Sequence, residues 1–120
     1  MAFTPGIVQI TTPSQSEAEI LAKILVEEGL AACCSVLDNV SSYYRWEGSL
    51  QHDEECLLLC KTSAENFPGL RDKVLGLHSY DVPEILFTPV TAGSESYLAW
   101  MNDVMSRGKT GKEPVSSLNA

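Results

Sequence analysis

The sequence predicts an α+β sandwich folded as one domain, and three observations lead there. The hydrophobic period switches along the chain in the order strand, helix, strand, strand, helix, strand, helix. The two middle strands are unusually long and meet at a glycine-containing turn. A length of 120 residues, 44% hydrophobic and 20% charged, supports one packed core and is too short for two domains.

Each element has its own local reason. Ile7-Val8-Gln9-Ile10-Thr11-Thr12 is β-branched and mostly apolar, which suits a strand, and Pro13 ends it. Ser14-Gln15-Ser16-Glu17 then has the spacing of a capping box, with Ser14 satisfying a free amide and Glu17 reaching back. Ala18, Leu21, Ala22 and Leu25 form the apolar stripe of the helix behind it, and Gly29 is placed to end that helix in a left-handed conformation. Leu30 to Leu37 is short, apolar and strand-like. Asp38-Asn39 marks a kink or bulge, after which Val40 to Trp46 resumes with period two. Val40, Ser42, Tyr44 and Trp46 share one face, and Ser41, Tyr43 and Arg45 the other. Glu47-Gly48-Ser49 is a turn, and Leu50 to Thr62 returns as a strand, polar at first and apolar from Cys56. A second helix begins at Thr62-x-x-Glu65 or at Asn66, with Pro68 in its first turn and the stripe Phe67, Leu70, Val74, Leu77. Glu84 to Thr88 is the last strand, with Pro89 suited to an edge or a strand end. A helix after Gly93-Ser94 carries Tyr97, Leu98, Trp100, Met101 and Val104.

With right-handed crossovers, this order gives the ferredoxin-like β-α-β-β-α-β sandwich with an extra C-terminal helix. The folded domain is expected over residues 1–106, followed by a polar, flexible tail over 107–120. Two helices cover one sheet face, and the other face needs a cover. The hairpin arms of some 14 residues would run roughly 45 Å. A compact domain of this size is about 34 Å across. The hairpin should therefore overhang its own domain, carrying Tyr43, Tyr44 and Trp46 with it. An exposed aromatic ribbon is a sticky edge, which predicts self-association through these three residues.

Charge and composition remove several function classes. Eight basic residues against sixteen acids give a net charge of −8, and the tail holds three of the basic residues and one acid. Such a surface repels phosphate backbones, so no nucleic-acid partner is expected. No apolar run reaches the roughly 20 residues that cross a bilayer, and no membrane partner is expected. The first residues lack the charged and apolar regions of a secretory signal, so a cytoplasmic, reducing location is expected. Cys33 and Cys34 point to opposite sides of a strand, and Cys56 and Cys60 lie about 13 Å apart along one, so neither pair clasps a metal. Reduced, mostly buried thiols are the expectation, with a Cys34–Cys60 cross-strand disulfide left open.

The ordered motifs Leu30-Ala31-Ala32-Cys33, Tyr44-x-Trp46-x-Gly48, Lys61-Thr62, His78-x-Tyr80-x-x-Pro83-Glu84 and Tyr97-Leu98-x-Trp100 resemble the CutA family of divalent-cation tolerance proteins. The resemblance runs from Ile7 to Val104. It implies a ferredoxin-like fold, a homotrimer with interlocking hairpins like that of PII signalling proteins, and a link to copper and other divalent cations. It implies no enzymatic reaction. Of the Cys and His-His copper ligands suggested for some members, this chain keeps only His78: Ile10-Thr11-Thr12 holds no Cys, and Leu77 and Ser79 flank the histidine.

The residues themselves offer three candidate sites. His78, at the end of the second helix, is a candidate ligand for copper or another divalent cation, needing Glu84 or a neighbouring subunit to complete the shell. The alternative is a helix-end histidine bonded to nearby carbonyls. Lys61 and Glu84, near strand ends, form with Tyr80, Tyr97 and Trp100 a candidate polar cleft between subunits. Were it catalytic, Lys61 or His78 would be the base and Tyr80 the acid or an oxyanion donor, although no nucleophile signature or glycine-rich phosphate loop is present. His52-Asp53-Glu54-Glu55 is the densest ligand-like run, but strand alternation divides it between two faces and favours a charged, aggregation-resistant edge. A trimeric cation-tolerance protein is the leading reading, with a PII-like ligand sensor or a small enzyme as alternatives.

Overall fold

The computed structural model describes residues 2–107. In chain order its elements are β1 (Pro5–Thr12), α1 (Gln15–Glu27), β2 (Cys33–Trp46), β3 (Ser49–Ser63), α2 (Phe67–Leu77), β4 (Ile85–Pro89) and α3 (Glu95–Arg107). The four strands form one sheet in the order β2-β3-β1-β4, with every neighbouring pair antiparallel. This is the ferredoxin-like arrangement the element order predicts. Arg107 closes α3 rather than opening a tail, and the tail expected beyond it lies outside the described residues.

Local chemistry sets the boundaries. Ser14 caps α1, its Oγ accepting from the Glu17 amide at 3.1 Å. The capping box is only half formed, because the Glu17 carboxylate turns away to the Ser79 amide instead of reaching back. Gly29 takes a φ of 73° at the end of α1. The Leu30 amide bonds the Leu25 carbonyl and the Gly29 amide bonds the Val26 carbonyl, a Schellman ending. That ending engages the Leu30 backbone, so β2 starts at Cys33 and not at Leu30 as the apolar run suggested. At the start of α2, Asn66 makes no side-chain cap; its Oδ1 accepts from Ser63 Oγ at 2.8 Å. The α2 stripe buries Leu70 and Val74 but leaves Leu77 exposed.

The main core lies on one sheet face, where Val8, Ile10, Leu58 and Cys60 meet Leu21 and Leu25 of α1 and Leu70 and Val74 of α2. Cys33, Lys61 and Ile7 lie in register on the opposite face. There Cys33 Sγ is 3.3 Å from Tyr97 Oη, so α3 covers one end of that second face. Met101, Met105, Trp100 and Ala32 complete this smaller cluster. Elsewhere the face carries Leu37 and Leu86, both about half exposed.

The β2–β3 pair outruns the rest of the sheet. β1 pairs with Cys56–Ser63 only, so Ser49–Glu55 has β2 alone as partner. The ribbon draws the molecule out to 49 × 28 × 27 Å. The expected kink is a bulge: between the pairs Leu37/Leu57 and Val40/Glu55, two residues of β2 oppose one of β3. Asn39 occupies it at a φ of 62°, a conformation asparagine tolerates better than most residues. The extra residue reverses the alternation, so Cys33, Ser35 and Leu37 share a face with Val40, Ser42, Tyr44 and Trp46. Glu47 and Gly48, both at positive φ, form a two-residue turn, and Ser49 already pairs with Trp46. Tyr43, Trp46 and Leu50 at the tip are 67%, 55% and 77% exposed.

Gly6 has a steric duty in the sheet. A Cβ at this position would collide with the ring of Phe87, which also packs against Phe67. Gly6→Ala is expected to destabilise the fold by about 1–3 kcal/mol through overpacking, measured by denaturant unfolding. An unchanged midpoint would show that the ring has room to move.

Candidate functional site

The ribbon and the segment after α2 enclose an open groove of about 710 Å³. Its hairpin wall is made by Ser42, Tyr44, Trp46, Asp53 and Glu55, and its other wall by residues 79–82 and Glu84. The bulge at Asp38-Asn39 is what turns Tyr44 and Trp46 to this side, in line with Asp53 and Glu55 of β3.

His78 anchors the second wall. Its ring is fully buried, with Nε2 2.8 Å from the Thr11 carbonyl oxygen and Nδ1 3.0 Å from the Tyr80 amide. A carbonyl only accepts, so Nε2 carries the proton and Nδ1 accepts from Tyr80. Glu17 Oε2 lies 3.5 Å from Nδ1 and accepts the Ser79 amide at 3.0 Å. The helix-end role is therefore the one His78 fills in the folded chain. Both ring nitrogens are engaged inside it, and neither offers a lone pair to an ion arriving from solvent.

From this anchor Tyr80 reaches across to the ribbon, its Oη donating to Glu55 Oε2 at 2.7 Å. Burial first, then the hydrogen bond to Glu55 and its charge, push the Tyr80 phenol far above the ordinary tyrosine range. Tyr44 Oη likewise donates to Asp53 Oδ2, and this bond raises the Tyr44 phenol. Glu84 accepts from Gln9 Nε2 at 2.7 Å. The groove is thus bordered by carboxylates, several already holding a neighbour's hydrogen, with aromatic rings between them.

The five residues expected in one cleft separate within the chain. Tyr80 and Glu84 line the groove. Lys61 lies six residues beyond Glu55 on β3, about 20 Å away along the strand, and donates to Ser35 Oγ at 2.8 Å. Tyr97 and Trp100 sit on α3, their rings 5.5 Å apart. Burial and the Cys33 thiol push Tyr97 up to about 12. Bringing Lys61, Tyr97 and Trp100 to Tyr80 and Glu84 would require a neighbouring copy. The run His52-Asp53-Glu54-Glu55 divides as alternation predicts. Asp53 and Glu55 face the groove, while His52 stacks on Tyr43 at 4.3 Å and lies 3.2 Å from Glu54. Among the described residues, no three His, Cys, Asp or Glu side chains converge to hold a metal ion.

Two contributions escape a reading of the sequence. Glu17, assigned to the helix cap, holds the backbone after α2 across 62 positions of chain. Glu55 pairs with Tyr80 across 25 positions. Period-two alternation puts Asp53 and Glu55 on one side, but only the tertiary fold supplies their tyrosines.

A raised tyrosine pKa stabilises the fold while the phenol stays protonated. The contribution from Tyr80 is fully present below the unfolded value of 10.0 and is lost as pH rises through the higher folded value. Above about pH 10, the unfolding free energy of the wild type should therefore fall more steeply with pH than that of Tyr80→Phe. Parallel curves in denaturant titrations across this range would remove the Glu55 bond from the account.

Comparison with known proteins agrees with this architecture. The sequence pattern described as "CutA1 divalent ion tolerance protein" matches residues 6–104. The Divalent-cation tolerance protein CutA of Thermus thermophilus is 45% identical over 97 residues, covering 81% of this chain and 94% of that protein. The chloroplastic Protein CutA of Arabidopsis thaliana is 39% identical, over 81% of this chain and 53% of its own length. The human Protein CutA is 35% identical, over 85% of this chain. The chain therefore spans little more than half of the plant and human proteins, at 53% and 59%. Among solved structures, the Thermus thermophilus protein superposes with a TM-score of 0.79 over 81% of this chain and 94% of that one. CutA1 of Oryza sativa, 34% identical, superposes at 0.83 over 85% of this chain and 94% of that one. The chain belongs to the CutA1 divalent ion tolerance family.

Proposed function

We propose that this chain works as a homotrimer in the cellular response to divalent cations, with copper or another divalent ion drawn weakly to the separate carboxylates of its acidic groove rather than clasped in a closed site. The observation that carries the reading is the two-stranded ribbon, whose aromatic tip projects past its own domain beside that groove. Covering Tyr43, Tyr44 and Trp46 with sister copies would bury large rings at roughly 2 kcal/mol each or more. Leu37 and Leu86, half exposed on the sheet face that α3 covers at one end only, favour the same solution.

The role is binding rather than catalysis. His78 donates a hydrogen bond to the Thr11 carbonyl, Tyr80 to Glu55 and Lys61 to Ser35, so the three acid–base candidates are held as structural donors. Carboxylate oxygens such as those of Asp53, Glu55 and Glu84 suit divalent cations at modest affinity. The surplus of acids over bases adds a general attraction for cations. Free thiols at all four cysteines fit a reducing, cytoplasmic location.

Calorimetric titration with copper(II) tests the cation part. The wild type is expected to bind weakly, and the combined variant Asp53→Asn, Glu55→Gln, Glu84→Gln to lose affinity by about tenfold, near 1.4 kcal/mol. Superimposable isotherms would show that the groove carboxylates do not hold the ion.

A further inference from the structure

We propose that Cys34 and Cys60 are a modification site, oxidised by a low-molecular-weight disulfide such as glutathione disulfide to an intrasheet disulfide that fastens β2 to β3. The proposal is independent of the cation-binding reading. Its basis is register: Cys34 lies directly opposite Cys60 on neighbouring antiparallel strands. Opposed residues in such a pair have Cα atoms about 4.5–5.5 Å apart and project to the same face. A disulfide needs roughly 4.4–6.8 Å, so this register meets the Cα spacing the bond requires.

Neither of the other thiols is placed to compete. Cys33 opposes Lys61 on the other sheet face, where its sulfur meets Tyr97. Cys56 sits at the bulge, four residues and about 13 Å along β3 from Cys60.

The pair is also divided in reactivity. β2 is an edge strand and Cys34 is partly exposed, whereas Cys60 is fully buried. Interaction with the Cys60 thiol, aided by the charge of Lys61, draws Cys34 below the ordinary thiol range against the opposing effect of burial. The Cys34 thiol and burial push Cys60 up. Its place on the exposed edge strand makes Cys34 the attacking thiol, and the buried Cys60 the resolving one.

In the first step Cys34 Sγ bonds to one sulfur of glutathione disulfide, the S–S bond breaks, and one glutathione leaves as thiolate. In the second, Cys60 Sγ bonds to Cys34 Sγ, gives up its proton, and displaces the other glutathione. Both leaving thiolates take up the protons of the two protein thiols. Two cysteines are oxidised, and one glutathione disulfide is reduced to two glutathione thiols. The product ties the ribbon at its base, on the helix-covered face and away from the groove.

The test uses the full-length protein, reduced and then equilibrated in glutathione buffers of increasing oxidised fraction, quenched in acid and alkylated. The expected result is a fall from four alkylated thiols to two with no retained glutathione, and fragmentation that joins Cys34 to Cys60. Cys33→Ser should still form the bond, and Cys34→Ser and Cys60→Ser should not. The wild type oxidised while unfolded in guanidinium should give a mixture of pairings, because register is then lost. Four alkylated thiols at every poise, a stable glutathione adduct alone, a different pairing in the folded protein, or the same mixture from folded and unfolded chains would each overturn the proposal. The wild-type mapping decides the matter even where a serine variant fails to fold.

Discussion

The pairing of β2 with β3 sets the shape of the molecule and the position of its groove. β1 supplies eight residues of cover to β3, and the remaining seven pair with β2 alone. An isolated two-stranded ribbon is marginal in water, because half its backbone groups and most of its side chains lack partners. The ribbon here nevertheless runs straight out of the sheet, in continuous register apart from the bulge. Its sequence solves only part of the exposure problem. The β3 arm is charged from His52 to Glu55, whereas the β2 arm presents Tyr43, Tyr44 and Trp46. One side of the hairpin discourages indiscriminate pairing, and the other offers anchors for a specific partner.

The bulge links this shape to the groove. Without the extra residue at Asp38-Asn39, strict alternation would put Tyr43 and Arg45 on the face now held by Tyr44 and Trp46. On the opposite wall, His78 plays the matching part. It is bonded to β1 through Thr11 and to its own chain through the Tyr80 amide, so it fixes the path leaving α2. Tyr80 is then aimed at Glu55. Two elements far apart in sequence are thereby held at one width by a few hydrogen bonds with buried or half-buried partners, where such bonds count most.

Much of the fold was legible in the sequence because local signals agreed with one another. The Ser14 cap, the Gly29 stop, the Asp38-Asn39 irregularity and the Gly48 turn each have a side-chain or backbone cause within a few residues. The errors have separate causes. Glu17 leaves its cap for the distant Ser79 amide, Leu30 is taken by the local ending of α1, and Leu77 stays exposed despite its place in the stripe. The candidate site was legible only in part because distant groups complete it. Motif order marked His78, Tyr80 and Glu84, but no spacing rule ties Tyr80 to Glu55. Within one chain, strand order and register separate Lys61 from Glu84 and set it beside Ser35 and Cys33, so a cleft holding both needs a second copy.

The projecting ribbon is proposed to find its missing contacts on other copies of the same chain. Light scattering coupled to size exclusion, carried from high micromolar concentration down through repeated dilution, addresses it most directly. A single species of about three times the chain mass of 13.1 kDa, persisting on dilution, is expected. A folded particle with the mass of one chain at every concentration would contradict it.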